Sequence, residues 1–235
     1  MIGRVLRGIG VGAVIVALLG LIIYSMSVKP PLSSEVWDAK FTIGNADTAK
    51  LHYVMYTDIM CPYCDVLARE VHDHSDEFLK FIEENEIVYE VRVTDFLYEY
   101  GAHATEYSRQ SAEAAYCAAD EGKFFEFYYA TLDKLYEDFH SKGVGTGKTS
   151  KAITGIDDNY WLKIGESVGL SADFAACYAT GAKLATIQAN TARAAKVVGG
   201  GLPYFQFGNF ANGGFDQSWD WSMVKQYLEQ GLKSK

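Results

Sequence analysis

Two cysteines, Cys61 and Cys64, stand where a predicted β-strand passes into a predicted α-helix, and this junction restricts the possible fold more than any other feature of the chain. The run 51–57 is rich in β-branched and aromatic residues and has no helical period, which predicts a buried central strand. Apolar residues recur at helical spacing after Cys61, with a bend expected near Ser75, and Pro62 suits a first helical turn. The cysteine pair is therefore expected at the N-terminus of a helix that follows a central strand.

The elements after this junction alternate in type. The run 87–93 has the period of a second strand, so parallel pairing through a right-handed crossover is predicted. The segment 103–196 has helical spacing and predicts about three to five helices. The run 204–207 predicts a further strand, followed by an edge strand near 210–215 and a last amphipathic helix over 221–232. The order β-α-β, helical block, β-β-α indicates an α/β protein.

The spacing of the two cysteines suits thiol chemistry. Unpaired N–H groups and the dipole at a helix N-terminus favour a negatively charged sulfur, so Cys61 is the predicted nucleophile. Cys64 lies one turn further along and can attack a mixed disulfide at Cys61, which makes it the predicted resolving cysteine. Pro62 and Tyr63, between the two, are expected to tune the redox potential.

The pair has two other interpretations. A zinc site would recruit His72 and His74, but all four side chains would fall on one helical segment, and the two histidines lie about 200° apart around it. A purely structural disulfide between Cys61 and Cys64 normally needs burial rather than a helix N-terminus. Redox exchange is favoured over both, and we expect neither a metal nor a cofactor.

Charge and composition exclude several classes of protein. Thirty Asp and Glu residues against 21 Lys and Arg residues give a formal net charge of -9, so a nucleic acid is not an expected partner. A hydrophobic content of 49% with only 4 prolines excludes a disordered or collagen-like chain. Four cysteines are too few for a disulfide scaffold of this length.

The N-terminal segment predicts export. No charged residue occurs over 8–28, and this run is about long enough to cross a bilayer as a single transmembrane helix. Arg4 and Arg7 precede it, which places the N-terminus in the cytoplasm and the following domain outside. The alternative is a signal peptide cleaved near the small residues 25–27. The domain is thus expected to be anchored in the cell membrane or, after cleavage, secreted or periplasmic.

Three segments resemble the DsbA-like thioredoxin-fold proteins. The segment 56–64 (YTDIMCPYC) is similar to their active-site entry, 112–127 (AEAAYCAADEGKFFEF) to the signature of their inserted helices, and 198–205 (VGGGLPYF) to their cis-proline loop. The similarity runs in the same order over roughly 41–233. It implies a thioredoxin fold with a helical insertion, a cis Leu202-Pro203 bond that faces the cysteines, and disulfide exchange with exported polypeptides.

The predicted architecture is a thioredoxin fold with a helical insertion, preceded by one N-terminal transmembrane helix. Because Pro203 opens a strand without an N–H to donate, a cis bond would turn the backbone of Leu202 toward a bound substrate chain. The predicted boundaries are 1–28 for the anchor or signal, 29–40 for a linker, 41–101 for the N-terminal half of the thioredoxin fold, 102–197 for the helical insertion and 198–235 for the C-terminal half.

One position departs from the pattern of the family. Thioredoxin-like proteins often carry a buried acid six residues before the nucleophile, whereas this chain has Met55 there. A proton relay through that position is therefore not expected. Asp58 is nearer to the cysteines in sequence, and it is interpreted as a strand-end or turn residue.

The remaining two cysteines, Cys117 and Cys177, both fall in the predicted helical insertion. In an oxidising compartment a structural disulfide between them is expected. The alternative is two buried free thiols that pack as small hydrophobic groups.

These observations predict a membrane-tethered thiol–disulfide oxidoreductase that introduces disulfides into exported cysteine-containing polypeptides and is recycled by a membrane quinone-coupled reoxidase. A reductase or isomerase of the same fold is an alternative, because the sequence CPYC also occurs in reducing and isomerase-type relatives. A non-catalytic exported module that binds peptides is a further alternative.

Overall fold

The computed structural model describes residues 35–99, 105–147, 149–207, 210–213 and 219–233 of the 235-residue chain. A five-stranded sheet forms the centre of this part. Its strands are β1 (Thr42–Ile43), β2 (Leu51–Thr57), β3 (Ile87–Val93), β4 (Tyr204–Phe207) and β5 (Phe210–Gly213).

The sheet has the strand order β1-β3-β2-β4-β5, so β2 lies in the middle. β2 pairs with β3 in parallel and with β4 in antiparallel orientation, and Tyr53 lies opposite both Tyr89 and Phe207. β1 and β5 pair in antiparallel orientation at the two edges. The end of β2, which leads into the cysteine motif, is therefore flanked on both sides by paired strands.

Helices connect and cover these strands. They are α1 (Pro62–Asp73), α2 (Ser75–Glu84), α3 (Phe96–Glu99), α4 (Glu106–Asp120), α5 (Phe124–Asp138), α6 (Asp158–Ser167), α7 (Ala172–Ala179), α8 (Leu184–Ala194) and α9 (Trp221–Lys233). Helices α4 to α8 follow β3 and precede β4, which is the place predicted for the helical insertion. Short 3-10 turns occur at Ala39–Phe41 and His140–Lys142.

Most of these elements agree with the sequence patterns. The strands predicted at 51–57, 87–93 and 204–207 are confirmed, as is the parallel pairing of the first two. The bend expected near Ser75 is a break at His74, which separates α1 from α2. The edge strand β1 was not predicted, because two residues are too few to show a period.

The two faces of the sheet differ in what covers them. Tyr53 and Met55 of β2 belong to the main core with α1, α2, α9 and the inserted helices, whereas Val54 and Tyr56 belong to a smaller cluster on the opposite face. This alternation is the period of two that a strand imposes on its side chains. The main core packs α1 firmly against the sheet and so fixes the orientation of the helix that carries the cysteines.

The opposite face is closed by the chain that precedes β1. Glu90 and Arg92 of β3 are buried there; the N–H of Trp37 donates to Glu90 Oε1 at 2.6 Å, and Arg92 Nη2 donates to the carbonyl of Glu35 at 2.7 Å. Among the described residues, contacts with the sheet thus occur as early as Glu35, within the segment 29–40 predicted as a linker. Buried charged groups need hydrogen-bond partners, and the backbone of this segment supplies them. The sequence of the predicted linker did not indicate this contact.

The predicted anchor or signal at 1–28 lies outside the described residues. Within the part of the chain that the structure describes, no helix is long and apolar enough to cross a membrane.

Candidate active site

The cysteine motif lies at the start of α1, just after β2. Cys61 is the N-cap residue with an extended backbone, and its carbonyl accepts a hydrogen bond from the N–H of Asp65 at 3.0 Å. Pro62 occupies the first helical turn, where its missing N–H leaves no hydrogen bond unmade. The free N–H groups of this turn favour negative charge on the Cys61 sulfur.

The two thiols are both free and differ in their access to solvent. Cys61 retains 5% of its surface, whereas Cys64 is fully buried at 0%. The Sγ of Cys61 donates a weak hydrogen bond to the carbonyl oxygen of Leu202 at 3.8 Å. Cys61 is therefore the thiol that a partner sulfur can reach first.

The Leu202-Pro203 peptide bond is cis, and β4 begins immediately after it. Tyr204 of β4 lies opposite Tyr56 of β2 in the antiparallel register. Because β2 leads into Cys61, this pairing brings the start of β4 beside the end of β2. The structure thus places Leu202 and Pro203 next to the cysteine motif.

Tyr63, the second residue between the cysteines, is half-buried under a glycine-rich loop. A β-carbon added to Gly147 would lie 3.8 Å from the Tyr63 hydroxyl oxygen. The loop 143–147 therefore runs beside the motif, where a larger side chain at Gly147 would contact Tyr63.

The buried thiol of Cys64 has a hydrogen-bonded environment of its own. Burial raises the pKa of Cys64 well above its ordinary value, and the hydrogen bond and charge of Cys61 raise it further. Hydrogen bonds to the sulfur from the hydroxyl of Thr57 and the N–H of Asp58 act in the opposite direction. Cys64 is thus a protonated thiol at neutral pH, so it must lose a proton before its sulfur attacks a mixed disulfide.

Asp58 has a larger role than its sequence position indicated. Its fully buried carboxylate accepts hydrogen bonds from Met60 N–H at 2.9 Å, Leu97 N–H at 2.8 Å and the Ser108 hydroxyl at 2.6 Å. Burial raises the pKa of Asp58 to about 6, although these hydrogen bonds act to lower it. The predicted turn role is confirmed, and the carboxylate also ties the loop before Cys61 to α3 and α4.

A second buried polar pair, which the sequence did not reveal, adjoins the motif. Asp65 follows Cys64 on α1, and its Oδ2 lies 2.7 Å from Nδ1 of His140 in the 3-10 turn after α5. The exposed fractions of the two side chains are only 1% and 4%. Since 75 residues separate them, no local pattern could have joined them.

Cys117 and Cys177 lie in the inserted helices and form a disulfide with an S–S distance of 2.01 Å. The bond joins α4 to α7. The structure therefore contains the bridged form of this pair rather than two free thiols.

His72 and His74, considered above as zinc ligands, stack on different aromatic rings. Their ring centroids lie 4.1 Å from that of Tyr129 and 5.0 Å from that of Trp221, respectively. Over the described ranges, no group of three or more His, Cys, Asp or Glu side chains is arranged to hold a metal ion. The two histidines pack against α5 and α9 and do not converge on the cysteines.

A CxxC motif at a helix N-terminus, a βαβ unit, and a β-hairpin that opens at a cis-proline beside the motif together define a thioredoxin-fold protein with a helical insertion. The chain belongs to the thioredoxin family, because a family model described as thioredoxin matches residues 38–200. The family resemblance found in the sequence is thereby confirmed.

Solved structures share the fold at low identity. A thioredoxin-like oxidoreductase from Silicibacter pomeroyi DSS-3 is 22% identical with a TM-score of 0.57, over 84% of this chain and 95% of that one. The thiol-disulfide exchange protein α-DsbA2 from Wolbachia pipientis is 18% identical with a TM-score of 0.56, over 83% and 89%. BdbD from Bacillus subtilis is 16% identical with a TM-score of 0.59, over 82% and 92%. Among curated proteins, none matches this chain.

Proposed function

We propose that this protein is an extracytoplasmic thiol–disulfide oxidoreductase that introduces disulfides into exported proteins. The observation that carries the proposal is the free Cys61 thiol at the N-terminus of α1, 3.8 Å from the Leu202 carbonyl oxygen, with Cys64 buried one turn behind it. This arrangement offers one accessible sulfur for the partner and one protected sulfur for resolution.

The reaction begins from the Cys61–Cys64 disulfide. A substrate thiolate attacks Cys61 Sγ, forms a mixed disulfide and expels the Cys64 thiolate, which takes up a proton. A second substrate thiolate then attacks the substrate sulfur of the mixed disulfide and expels the Cys61 thiolate. Two electrons pass from the substrate to the protein, which ends with both thiols free, as they are in the structure.

The electrostatics at α1 favour the oxidising direction. A helix N-terminus favours negative charge, and a thiolate at Cys61 exists only in the reduced form of the pair. Stabilising the reduced form raises the reduction potential and makes the disulfide a stronger oxidant. The same preference for negative charge favours Cys61 as the leaving group when the substrate disulfide forms.

Location and partners are part of the proposal. The apolar run 8–28 supports export, and the bridge between Cys117 and Cys177 suits an oxidising compartment. In such a place the substrates are exported polypeptides with free cysteines. Repeated turnover then needs an electron acceptor, for which we propose a membrane quinone-coupled reoxidase.

The test is the redox equilibrium of the full-length protein in glutathione buffers, with a Cys117→Ser/Cys177→Ser variant to isolate the active pair. A potential near about -120 mV supports the oxidase. A potential near about -270 mV would indicate a reductase and contradict the proposed direction. If the Cys61→Ser variant kept the full function of the native protein, the protein would instead be a non-catalytic binding module.

A further inference from the structure

The cycle proposed above requires a proton to reach and leave the Cys64 sulfur. Cys64 is fully buried at 0% exposure, so its sulfur does not face bulk water. Met55, six residues before Cys61, has no proton to exchange, and the Asp58 carboxylate already accepts three hydrogen bonds from the loop, α3 and α4. Another buried group must therefore carry this proton.

The Asp65–His140 pair has the chemistry for this task. An ionised carboxylate can only accept hydrogen bonds, so Nδ1 of His140 donates to Oδ2 of Asp65 across their 2.7 Å contact. The neutral imidazole then has Nε2 as its free basic atom, and the adjacent carboxylate stabilises the imidazolium that forms when Nε2 takes up a proton. Among the described residues, Nε2 of His140 and Oδ1 of Asp65 have no hydrogen-bond partner although both atoms are buried.

The pair is close to Cys64 by two routes. Asp65 is the next residue along α1, and the Tyr128 hydroxyl lies 3.4 Å from the Thr57 hydroxyl, which hydrogen bonds to the Cys64 sulfur. Tyr128 is fully buried, as are Cys64 and Asp65, and it lies on α5, the helix that leads into the turn carrying His140. Two buried hydroxyls thus link the surroundings of the thiol to α5.

We propose that His140 exchanges the proton of Cys64 and that Asp65 positions the His140 imidazole, an inference that rests on the proposed function. When Cys64 attacks a mixed disulfide on Cys61, the Cys61–Cys64 bond forms and the bond from Cys61 to the partner sulfur breaks. The partner leaves as a thiolate with the electron pair, and the Cys64 proton passes to His140 Nε2. In the oxidising direction the steps reverse, and His140 returns the proton to the departing Cys64 thiolate.

The elements around the pair carry many other ionisable groups, of which Cys64 on α1, Tyr128 on α5 and Asp58 in the loop before the motif are fully buried. The others are Tyr63, Arg69, Glu70, His72 and Asp73 on α1, Glu126, Tyr129, Asp133, Lys134, Tyr136, Glu137 and Asp138 on α5, and Lys142 in the 3-10 turn. Arg69 lies 3.4 Å from the exposed carboxylate of Asp133, away from the buried pair.

The reaction of the reduced full-length protein with dithiobis(nitrobenzoate) separates the two thiol steps in a stopped-flow experiment. Cys61 attacks the reagent and releases one thionitrobenzoate, and Cys64 then resolves the mixed disulfide and releases the second. We expect Asp65→Asn to leave the first phase within about twofold and to slow the second by at least about tenfold at neutral pH. The deficit should shrink as pH rises, because hydroxide then removes the Cys64 proton.

Asp133→Asn is the matched control, since it removes one carboxylate from the exposed side of α5. Both of its phases should equal those of the native protein. His140→Asn is a second test, because its amide can donate to Asp65 from the place of Nδ1 but cannot carry a proton. If circular dichroism shows that the Asp65→Asn variant does not fold, the His140→Asn variant alone tests the proposal.

The possible outcomes separate the two proposals. A native protein that releases no thionitrobenzoate from Cys61 would overturn the proposed function. A normal native reaction with an unchanged second phase in the variants would overturn only the role of Asp65 and His140. A second phase slowed equally at every pH would also overturn it, because that result describes a misplaced Cys64 rather than a lost proton carrier.

Discussion

Cys61 and Cys64 lie at the N-terminus of one helix, whereas Cys117 and Cys177 lie 60 residues apart and join two helices. The first pair is free and touches the Leu202 carbonyl, and the second is bridged inside the helical insertion. Both pairs belong to the same folded chain, so their difference comes from local surroundings.

The position of each cysteine pair in the fold decides whether it exchanges disulfides or stabilises the structure. Closing the short loop from Cys61 to Cys64 removes little chain entropy, and the helix N-terminus favours the open thiolate form. Closing the 60-residue loop from Cys117 to Cys177 removes much more entropy from the unfolded chain. The first pair is therefore suited to repeated opening and the second to permanent closure.

The largest expected effect comes from Cys61→Ser. Removal of the attacking sulfur should lower the rate of disulfide exchange with a cysteine-containing peptide by about a thousandfold or more. The Cys117→Ser/Cys177→Ser double variant is the control and should keep the native exchange rate at a temperature where it is folded. If both variants lost disulfide exchange to the same extent, the two pairs would not differ in function, and the prediction would be wrong.

The double variant should instead lose stability. For a closed loop of 60 residues, the chain-entropy relation gives a loss of about 4 kcal/mol in the free energy of unfolding. Denaturant unfolding of the native and variant proteins measures this loss. A change below about 1 kcal/mol would mean that the bridge does little to hold the insertion together.

The next effect concerns the carboxyl that shapes the loop before Cys61. The pKa of Asp58 is raised from 3.8 to about 6, so its contribution to stability is full below about pH 3.8 and is lost as pH rises through 6. Between about pH 3 and about pH 8, the native protein should therefore lose about 3 kcal/mol relative to Asp58→Asn, which does not titrate there. Chemical unfolding across this range checks the sign, and a constant difference would show that the Asp58 pKa is not raised.

The smallest effect is expected at the helix that carries Cys177. Ser171 is the N-cap of α7, and its side chain accepts a hydrogen bond from the N–H of Asp173. Ser171→Ala should lower the free energy of unfolding by about 1 kcal/mol and leave disulfide exchange unchanged. A slower exchange reaction in this variant would show that the bridged region acts on the active pair.

The sequence predicted the elements whose signals are local. Strands β2 and β3 show their periods within seven residues each, and the helix break near Ser75 follows a local change of pattern. The Ser171 cap at the start of α7 is a local signal of the same kind, because a cap acts over two residues. The cis-proline loop was found through family resemblance, since no local pattern shows that Leu202 approaches Cys61 across 141 residues.

The interactions that the sequence did not predict join distant parts of the chain. The pKa of Asp58 is raised by burial, and the hydrogen bonds from Leu97 and Ser108 that act against it come from segments whose sequences do not reveal these contacts. His140 reaches Asp65 because α5 packs against α1. Such contacts form through tertiary packing, so the periodicity of the sequence does not predict them.

The central claim is that Cys61 attacks first and Cys64 resolves. The direct test is to incubate reduced Cys64→Ala and Cys61→Ala variants with oxidised glutathione and to map the adducts by mass spectrometry. We expect a persistent glutathione adduct on Cys61 in the first variant and an unmodified Cys64 in the second, because Cys64 is buried and protonated. Equal modification of Cys64 in the Cys61→Ala variant, or no adduct on Cys61 in the other, would contradict the account.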